Sequence, residues 1–161
     1  MSNDQLAAII HQEQTLILPA FDEAIAFDIG TRIRAKAAAI QAPIAIVISA
    51  PNRRYFFTCL AGATPENEDW ARRKMNVVFT TYKSSLRLGL EYKAGGLDQW
   101  PEMNLPYADF ALHGGAFPLR VKDSGLVGAI GFSGLPSIED HLLITDTLAE
   151  VLGIDPLPLP Q

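Results

Sequence analysis

The sequence is poor in several residue types, and each shortage argues against a class of protein. It has a single cysteine, Cys59, among 161 residues, so an internal disulfide framework is excluded and a reducing compartment is favoured. Charged residues make up 19% of the chain and the net charge is −5. Nucleic acids require clustered Lys and Arg, and the only dense basic run, at 72–74, is short. We therefore expect no nucleic-acid partner.

Long apolar runs are also missing. No segment approaches the roughly 20 apolar residues that a membrane helix requires. The N-terminal sequence MSNDQLAAIIHQEQ has neither the basic start nor the unbroken apolar stretch of a signal peptide. No Asn-x-Ser/Thr glycosylation acceptor occurs. We expect one globular domain over residues 1–161, located in the cytoplasm and without a membrane partner.

Apolar residues recur at helical spacing in the N-terminal part of the chain. Residues 3–14 predict a short helix. A stripe from Phe21 to Ile40 predicts a longer helix, which Pro43 ends. Gly30 lies inside this second helix and lowers its stability by about 1 kcal/mol relative to alanine, so a closely packed neighbour is expected there.

Two more helices are predicted later in the chain. Thr64 is the cap of the first, whose stripe continues to Leu90 with a kink at 84–85. Ser137 is the predicted cap of the last helix, with Asp140 three residues later as in a variant of the capping box. Both helices therefore have a recognisable start.

Segments rich in β-branched and aromatic residues predict four strands in two hairpins, at 44–49, 55–60, 116–121 and 126–133. Because neither strand of the first hairpin alternates between apolar and polar residues, both of its faces should be covered by a helix or by another subunit. Gly128 and Gly131 suggest a bulge or a close approach of a ligand or another backbone. Hairpins separated by helices predict an α+β fold, with helices packed on an antiparallel sheet.

Two segments lack a periodic pattern. Residues 97–112, which include Trp100 and Pro101, predict an irregular connection. Residues 154–161 are rich in proline and predict an extended tail. Leu157 and Leu159 of this tail either lie along a neighbouring subunit or belong to a frayed terminus.

Several ordered blocks of the chain resemble one family. The blocks are LAGATPENEDWARRKMNVV, SSLRLGLEY, YADFALHGGAFPLRV and GLVGAIGFSGLPSIEDH, which contain the motifs HGGxFP and SGLPxxxDH. They are similar to the uncharacterised branch of the haem-degrading-domain family, the GlcG/HbpS-like proteins, from about Phe21 to His141. The resemblance implies a profilin-like sandwich that assembles into dimers or larger rings, and it makes haem a possible cofactor. The fold by itself implies no function.

Two histidines are candidate ligands for a metal or haem iron. His113 precedes a Gly-Gly pair where a loop enters a strand, and imidazole is the commonest metal ligand. Alternatively, His113 caps the 97–112 loop by bonding a backbone carbonyl. His141 lies in the first turn of the last helix, whose positive end favours a neutral ring that could act as a ligand or proton acceptor. Its alternative is a partly buried histidine that closes the capping region.

A possible anion site lies on the third predicted helix. Arg73 could bind a carboxylate or phosphate through two parallel hydrogen bonds. Alternatively, it forms a salt bridge with Glu66 or Asp69 one turn earlier. Ser84 and Ser85 could join such an anion site, or they could cap a break in the helix.

Ser133 and Cys59 complete the candidates. The sequence GFSGL around Ser133 resembles a nucleophile elbow, but the second glycine comes one residue early and no spacing supports a triad. Ser133 therefore remains only a ligand-binding candidate. Cys59 lies among strand aromatics, where a thiol is usually an inert core residue.

The sequence leaves three functions open. The first is a homo-oligomeric module that binds a small ligand or a partner and catalyses no reaction, since no catalytic constellation is recognisable. The second is a haem- or metal-binding protein that uses His113 or His141. The third is an enzyme acting on a small anionic substrate through Arg73.

Overall fold

The computed structural model describes residues 3–95 and 105–161, and part of the 97–112 connection, including Trp100 and Pro101, lies outside them. Five helices are present in the described residues: α1 (Asn3–Thr15), α2 (Glu23–Ala39), α3 (Pro65–Thr81), α4 (Ser85–Ala94) and α5 (Ser137–Leu152). The same residues contain four strands: β1 (Ala45–Ala50), β2 (Arg53–Cys59), β3 (Ala116–Val121) and β4 (Gly125–Ser133). The predicted helices and strands are therefore present, except that the third predicted helix is divided into α3 and α4.

The four strands form one antiparallel sheet in the order β2-β1-β4-β3. The two hairpins meet at the centre, where β1 pairs with β4. Helices α2 and α5 pack on one face of the sheet, and α3 packs on the other. This is the α+β sandwich predicted from the element order and the family resemblance.

Glycines allow close packing on both sheet faces, as predicted. A Cβ atom at Gly30 of α2 would lie 2.4 Å from the ring of Phe56 on β2. A Cβ atom at Gly131 of β4 would lie 2.7 Å from the side chain of Met75 on α3. Because real Cβ atoms do not approach other atoms so closely, any larger residue at Gly30 or Gly131 would displace the facing side chain or push the packed helix away from the sheet.

The third predicted helix is divided into two separate helices. Tyr82 adopts the left-handed conformation with φ 59°, which ends α3. Ser84 then caps α4 by accepting a hydrogen bond from the backbone N–H of Arg87 at 3.2 Å. The predicted kink is therefore a complete break, because the left-handed residue stops one helix and the serine starts the next.

Strand β2 is less covered than predicted. It lies at one end of the sheet, and Phe57 on it is 40% exposed. Cys59 is also exposed, so the prediction that it is a core residue is wrong. The uninterrupted run of apolar residues suggested two covered faces, but the outer edge of the sheet leaves β2 partly open among the described residues.

The proline-rich tail packs against α1 of the same chain. Gln12 donates a hydrogen bond from Nε2 to the carbonyl of Leu157 at 2.5 Å, and Gln5 donates one to the carbonyl of Pro160 at 2.8 Å. Leu159 packs against the apolar side chains of α1 and α4. These contacts hold the tail against its own chain.

Candidate functional site

A cavity of about 400 Å³ opens between α3, the start of α5 and the loop before β3. A volume of this order suits a small molecule. Its lining residues are mainly polar: Asn67, Trp70, Lys74, His113, Ser133, Gly134, Leu135, Ser137 and Asp140. The sequence analysis identified His113 and Ser133 as candidates, and both line this cavity.

An ion pair between Lys74 and Asp140 forms one wall of the cavity. The distance from Lys74 Nζ to Asp140 Oδ2 is 2.8 Å, and the two residues are only 4% and 1% exposed. Lys74 also donates a hydrogen bond to the carbonyl of Phe132 at 3.2 Å. The other oxygen of Asp140 accepts a hydrogen bond from the backbone N–H of Leu135 at 2.8 Å. The pair thus joins α3, the end of β4 and the start of α5.

Burial shifts the titration of both partners towards their neutral forms. It raises the pKa of the Asp140 carboxyl to about 6, although the nearby Lys74 ammonium opposes the shift. Burial likewise lowers the pKa of Lys74, and the carboxylate of Asp140 opposes that shift. Such a combination of desolvation with a specific charged partner in a cleft is typical of functional sites.

His113 lies at the exposed rim of the same cavity. Its ring meets the ring of Trp70 edge to face, with 5.6 Å between the centroids. Partial burial lowers the pKa of the His113 imidazole, and the cations Lys74 and Arg73 lower it further, so the ring is neutral at pH 7. None of the hydrogen bonds in residues 3–95 and 105–161 involves its ring nitrogens, so they are available to a ligand.

The start of α5 differs from the predicted capping box. Pro136 is the cap residue, and Ser137 is the first residue of the helix. The Ser137 hydroxyl instead accepts a hydrogen bond from the backbone N–H of Gly114 at 2.7 Å. Asp140 bonds Leu135 and Lys74 rather than Ser137. Ser137 therefore fixes the position of the loop that carries His113.

Arg73 points away from the Lys74–Asp140 pair. Its guanidinium lies 4.4 Å from the ring centroid of Trp70 and donates a hydrogen bond to the carbonyl of Tyr107 at 2.7 Å. Asp69, one of the predicted ion-pair partners, instead pairs with Arg72 at 2.9 Å. Arg73 thus supports the back of Trp70 and does not line the cavity.

Ser84 and Ser85 are also outside the cavity. Both are fully buried. The backbone N–H of Ser84 donates to the Glu13 carboxylate at 2.8 Å, and the Ser85 hydroxyl accepts a hydrogen bond from the backbone N–H of Ala116 at 3.0 Å. These contacts hold α4 against α1 and β3.

His141 is fully buried and does not line the cavity. Its Nε2 lies 2.8 Å from Oε1 of Gln12. Because Gln12 donates from its own Nε2 to the carbonyl of Leu157, its Oε1 must accept, and the proton of His141 is on Nε2. Burial lowers the pKa of His141 to about 3, so the ring is neutral. His113 and His141 therefore do not converge on one site.

Sequence reasoning missed the two most buried charges of the site. Lys74 lies between Ala71 and Val78 on the apolar stripe of α3, where a lysine must find a partner. Asp140 is one of the buried residues of the last helix and comes one residue before His141. A charged residue within each apolar stripe was the available signal, but the sequence alone does not show that the two stripes meet.

A second cleft, of about 570 Å³, lies between the turn of the first hairpin and α3. Its arginines are matched by carboxylates: Arg72 pairs with Asp69 at 2.9 Å, and Arg54 lies 3.8 Å from Glu68. The cavity that contains the buried Lys74 is the better candidate site, because its charges are desolvated and its imidazole has no hydrogen-bond partner in the described part of the chain.

Within residues 3–95 and 105–161, no group of three or more His, Cys, Asp or Glu side chains is arranged to hold a metal ion. In the same residues, no helix has both the length and the apolar character required to cross a bilayer.

The family model of the haem-degrading HbpS-like proteins matches residues 21–149 of this chain. The chain belongs to the HbpS-like family. A UPF0303 protein of Brucella melitensis is 47% identical over 154 residues, which cover 96% of this chain and 91% of the relative. A UPF0303 protein of Mesorhizobium japonicum is 43% identical over 152 residues, which cover 94% and 91%. The predicted family is therefore confirmed.

Solved structures confirm the fold of this HbpS-like protein. The Ybr137w protein superposes with a TM-score of 0.85 and 27% identity, covering 92% of this chain and 87% of its own. HbpS of Streptomyces reticuli, as a double mutant, has a TM-score of 0.65 at 18% identity and covers 83% and 87%. A haem complex of PduOC has a TM-score of 0.67 at 16% identity and covers 83% and 94%. The last two similarities show a shared fold.

The cavity residues are a poor match for the haem that the family name suggests. They offer one imidazole, His113, but only Trp70 and Leu135 provide a substantial apolar surface. Cofactor sites for large planar groups are mostly apolar and enclose most of the ligand. The buried Lys74–Asp140 pair would have to lie against the ring. The cavity of a single chain therefore does not fit an enclosed haem.

Proposed function

We propose that this HbpS-like protein is a homo-oligomeric module that binds a small polar ligand in the cavity between α3 and α5. The observation that carries the proposal is the buried ion pair of Lys74 and Asp140, which lies beside the neutral ring of His113 in one open cavity. The single cysteine supports a cytoplasmic location.

The chemistry of the wall indicates the kind of ligand. An ammonium group has three N–H donors, and Lys74 uses two of them for Asp140 and Phe132. The third is available for a carbonyl or carboxylate oxygen of the ligand. The His113 ring can accept or donate one more hydrogen bond, and Trp70 offers a flat apolar surface. A small carboxylic acid or amide with a planar portion matches these three features.

The proposal includes no reaction. Ser133 makes no hydrogen bond to a histidine within residues 3–95 and 105–161, so a serine–histidine pair for nucleophilic attack is not formed there. The alternative of an anionic substrate held by Arg73 is weakened because that guanidinium is buried against carbonyl groups and two aromatic rings.

A thermal-shift screen tests ligand binding. Small carboxylates, amides and phosphates should include a compound that raises the Tm by about 5 °C or more at a concentration of 100 times its Kd. His113→Ala should remove most of this shift, since it deletes a cavity side chain. His11→Ala changes an exposed histidine on α1 and should leave it unchanged. Equal shifts in both variants would contradict the proposed site.

Haem is the competing ligand, and the haem complex of PduOC favours testing it. Titration with haemin should give no sharpened Soret band that depends on His113. A stoichiometric band that disappears in His113→Ala or His141→Ala would show that the ligand is haem and not a small polar molecule. Light scattering after size exclusion measures the oligomeric state. A particle of 17.5 kDa, the mass of one chain, would show that the protein is a monomer and would contradict the homo-oligomer.

A further inference from the structure

The outer edge of β2 is open among the described residues. The sheet order begins with β2, which pairs with β1 on its inner side. The opposite edge is partly covered, because Leu18 forms a bridge with Val121 of β3. An open edge exposes a row of unpaired backbone groups that can accept another strand.

The pairing within the first hairpin identifies which backbone groups face outward. The N–H of Leu60 donates to the carbonyl of Ile44 at 2.9 Å, so these two residues form a hydrogen-bonded pair. Such pairs alternate along an antiparallel ladder. Thr58 and Phe56 therefore bond β1, whereas the N–H and C=O groups of Phe57 face the open edge.

Aromatic side chains border this edge. Phe57 is 40% exposed, and Phe27 on α2 is 63% exposed. The ring of Phe27 packs edge to face against Phe56, with 6.1 Å between the centroids. Soluble proteins usually protect an edge of this kind, and the strand carries no inward-pointing charge or proline that would block pairing.

We propose that β2 pairs with β2 of a second copy of this chain, antiparallel around a two-fold axis at Phe57. The two four-stranded sheets then form one continuous sheet. Phe57 faces Phe57 of the partner subunit, and Phe56 faces Thr58 of the partner subunit. This inference rests on the homo-oligomer of the proposed function and assigns its interface.

On the sheet face that α2 covers, the side chains of the two subunits are complementary in this pairing. Phe27 packs over Phe56, whereas Arg34 lies over Thr58, with 3.4 Å between its Nε and the hydroxyl oxygen. Since Phe56 faces Thr58 of the partner subunit, Phe27 comes beside Arg34 of the partner subunit. A guanidinium near an aromatic face is attractive, and the two-fold axis creates this contact twice.

On the opposite face of the sheet, Arg54 and Glu68 of the same chain lie 3.8 Å apart. The charges of these two residues are therefore matched within each subunit, and strand pairing leaves neither of them without its partner.

Phe57→Pro tests the pairing without removing a bond within the chain. Proline lacks an N–H group, and at this position the missing group faces outward, so the bonds to β1 remain. Light scattering should show wild-type particles that are dimers or multiples of dimers, and the mass should fall by half or more in Phe57→Pro. Phe57→Ala keeps the N–H group and should retain more of the dimer. Circular dichroism checks that each variant is folded.

An engineered disulfide gives a second test that does not depend on the proline variant. Hydrogen-bonded partners in antiparallel strands have Cα atoms about 5.5 Å apart, within the range for a disulfide. Phe57→Cys in a Cys59→Ser background should therefore form a covalent dimer on oxidation. Wild-type Cys59 faces Tyr55 of the partner subunit and should not form one.

The outcomes separate this inference from the proposed function. A wild-type oligomer whose mass is unchanged by Phe57→Pro, and which Phe57→Cys does not cross-link, would overturn pairing through β2 but leave the homo-oligomer intact. A wild-type monomer would overturn both. The thermal shift caused by a cavity ligand is measured independently of either result.

Discussion

Asp140 and His141 are adjacent residues on α5, but they belong to two different polar clusters. Asp140 points towards α3 and pairs with Lys74 at an open cavity. His141 points towards α1 and bonds Gln12 in a closed interior. Burial favours the neutral form of each group, raising the pKa of Asp140 to about 6 and lowering that of His141 to about 3.

The difference shows that burial of a polar group does not by itself indicate a binding site. In the interior cluster, Gln12 links His141 Nε2 to the carbonyl of Leu157, while the buried Nδ1 atom has no hydrogen-bond partner among the described residues and no cavity opens onto it there. In the cavity cluster, Lys74 makes two hydrogen bonds and the ring nitrogens of His113 make none within residues 3–95 and 105–161. The first cluster therefore has a structural role, and the second is the one for which we propose ligand binding.

The largest expected effect concerns the ion pair of the cavity cluster. Lys74→Met leaves the Asp140 carboxylate buried without its cation, and the free energy of unfolding should fall by about 3–5 kcal/mol. Urea unfolding at pH 7 measures this change. The double variant Lys74→Met/Asp140→Leu removes both charges and should recover most of the loss. If the single variant is as stable as the wild type, the pair is not a buried ion pair.

An intermediate effect distinguishes the interior cluster by its pH dependence. The unfolded chain protonates His141 below its ordinary pKa of 6.5, whereas the folded chain keeps it neutral down to about 3. Stability is therefore lost as the pH falls below 6.5, by about 1.4 kcal/mol per pH unit. We expect a loss of about 2 kcal/mol between pH 6.5 and 5 from this residue.

His141→Gln provides the reference for that measurement, because its amide can still donate to Gln12 but does not titrate. The difference between the two unfolding curves isolates the histidine. Asp140 has a raised pKa, so its own contribution increases as the pH falls from about 6 towards 3.8, but it is present in both proteins. Parallel curves would show that the imidazole is protonated in the folded state.

The smallest effect concerns the support of the cavity loop. Ser137→Ala removes the hydrogen bond that the Ser137 hydroxyl accepts from the N–H of Gly114, and unfolding should become easier by about 1 kcal/mol. Ser124→Ala, at an exposed turn, should change stability by less than about 0.5 kcal/mol. The Ser137 variant should also weaken ligand binding, since His113 is held by the same loop. If Ser137→Ala binds the ligand as tightly as the wild type, the loop that carries His113 does not contribute to the binding site.

Much of the fold follows from local patterns. Thr64 and Asp22 mark helix starts, and the strand segments carry dense β-branched and aromatic residues. Gly131 indicated the close approach that Met75 makes to the sheet. Helix caps and strand composition depend on residues near one another in sequence, and a glycine within a strand is itself a sign of close packing, so the sequence was sufficient to predict these features.

The site was harder to predict because it joins distant segments. His113 was recognisable from its chemistry, but its place beside Trp70 depends on how the loop crosses α3. Lys74 and Asp140 meet only because two helices flank the end of β4. Arg73 was the favoured cation from its helical position, and the neighbouring lysine enters the cavity instead, since an azimuth of about 100° separates them.

The central pairing of β1 with β4 has a consequence for how the chain reaches this structure. Each hairpin joins segments close in sequence, so both can form early. The contact between residues 45–50 and 125–133 closes a long loop, which is entropically slow. Gly128, where any side chain would meet the carbonyl of Ser49 at 2.8 Å, lies in this late contact. The meeting of the two hairpins should therefore limit the rate of folding.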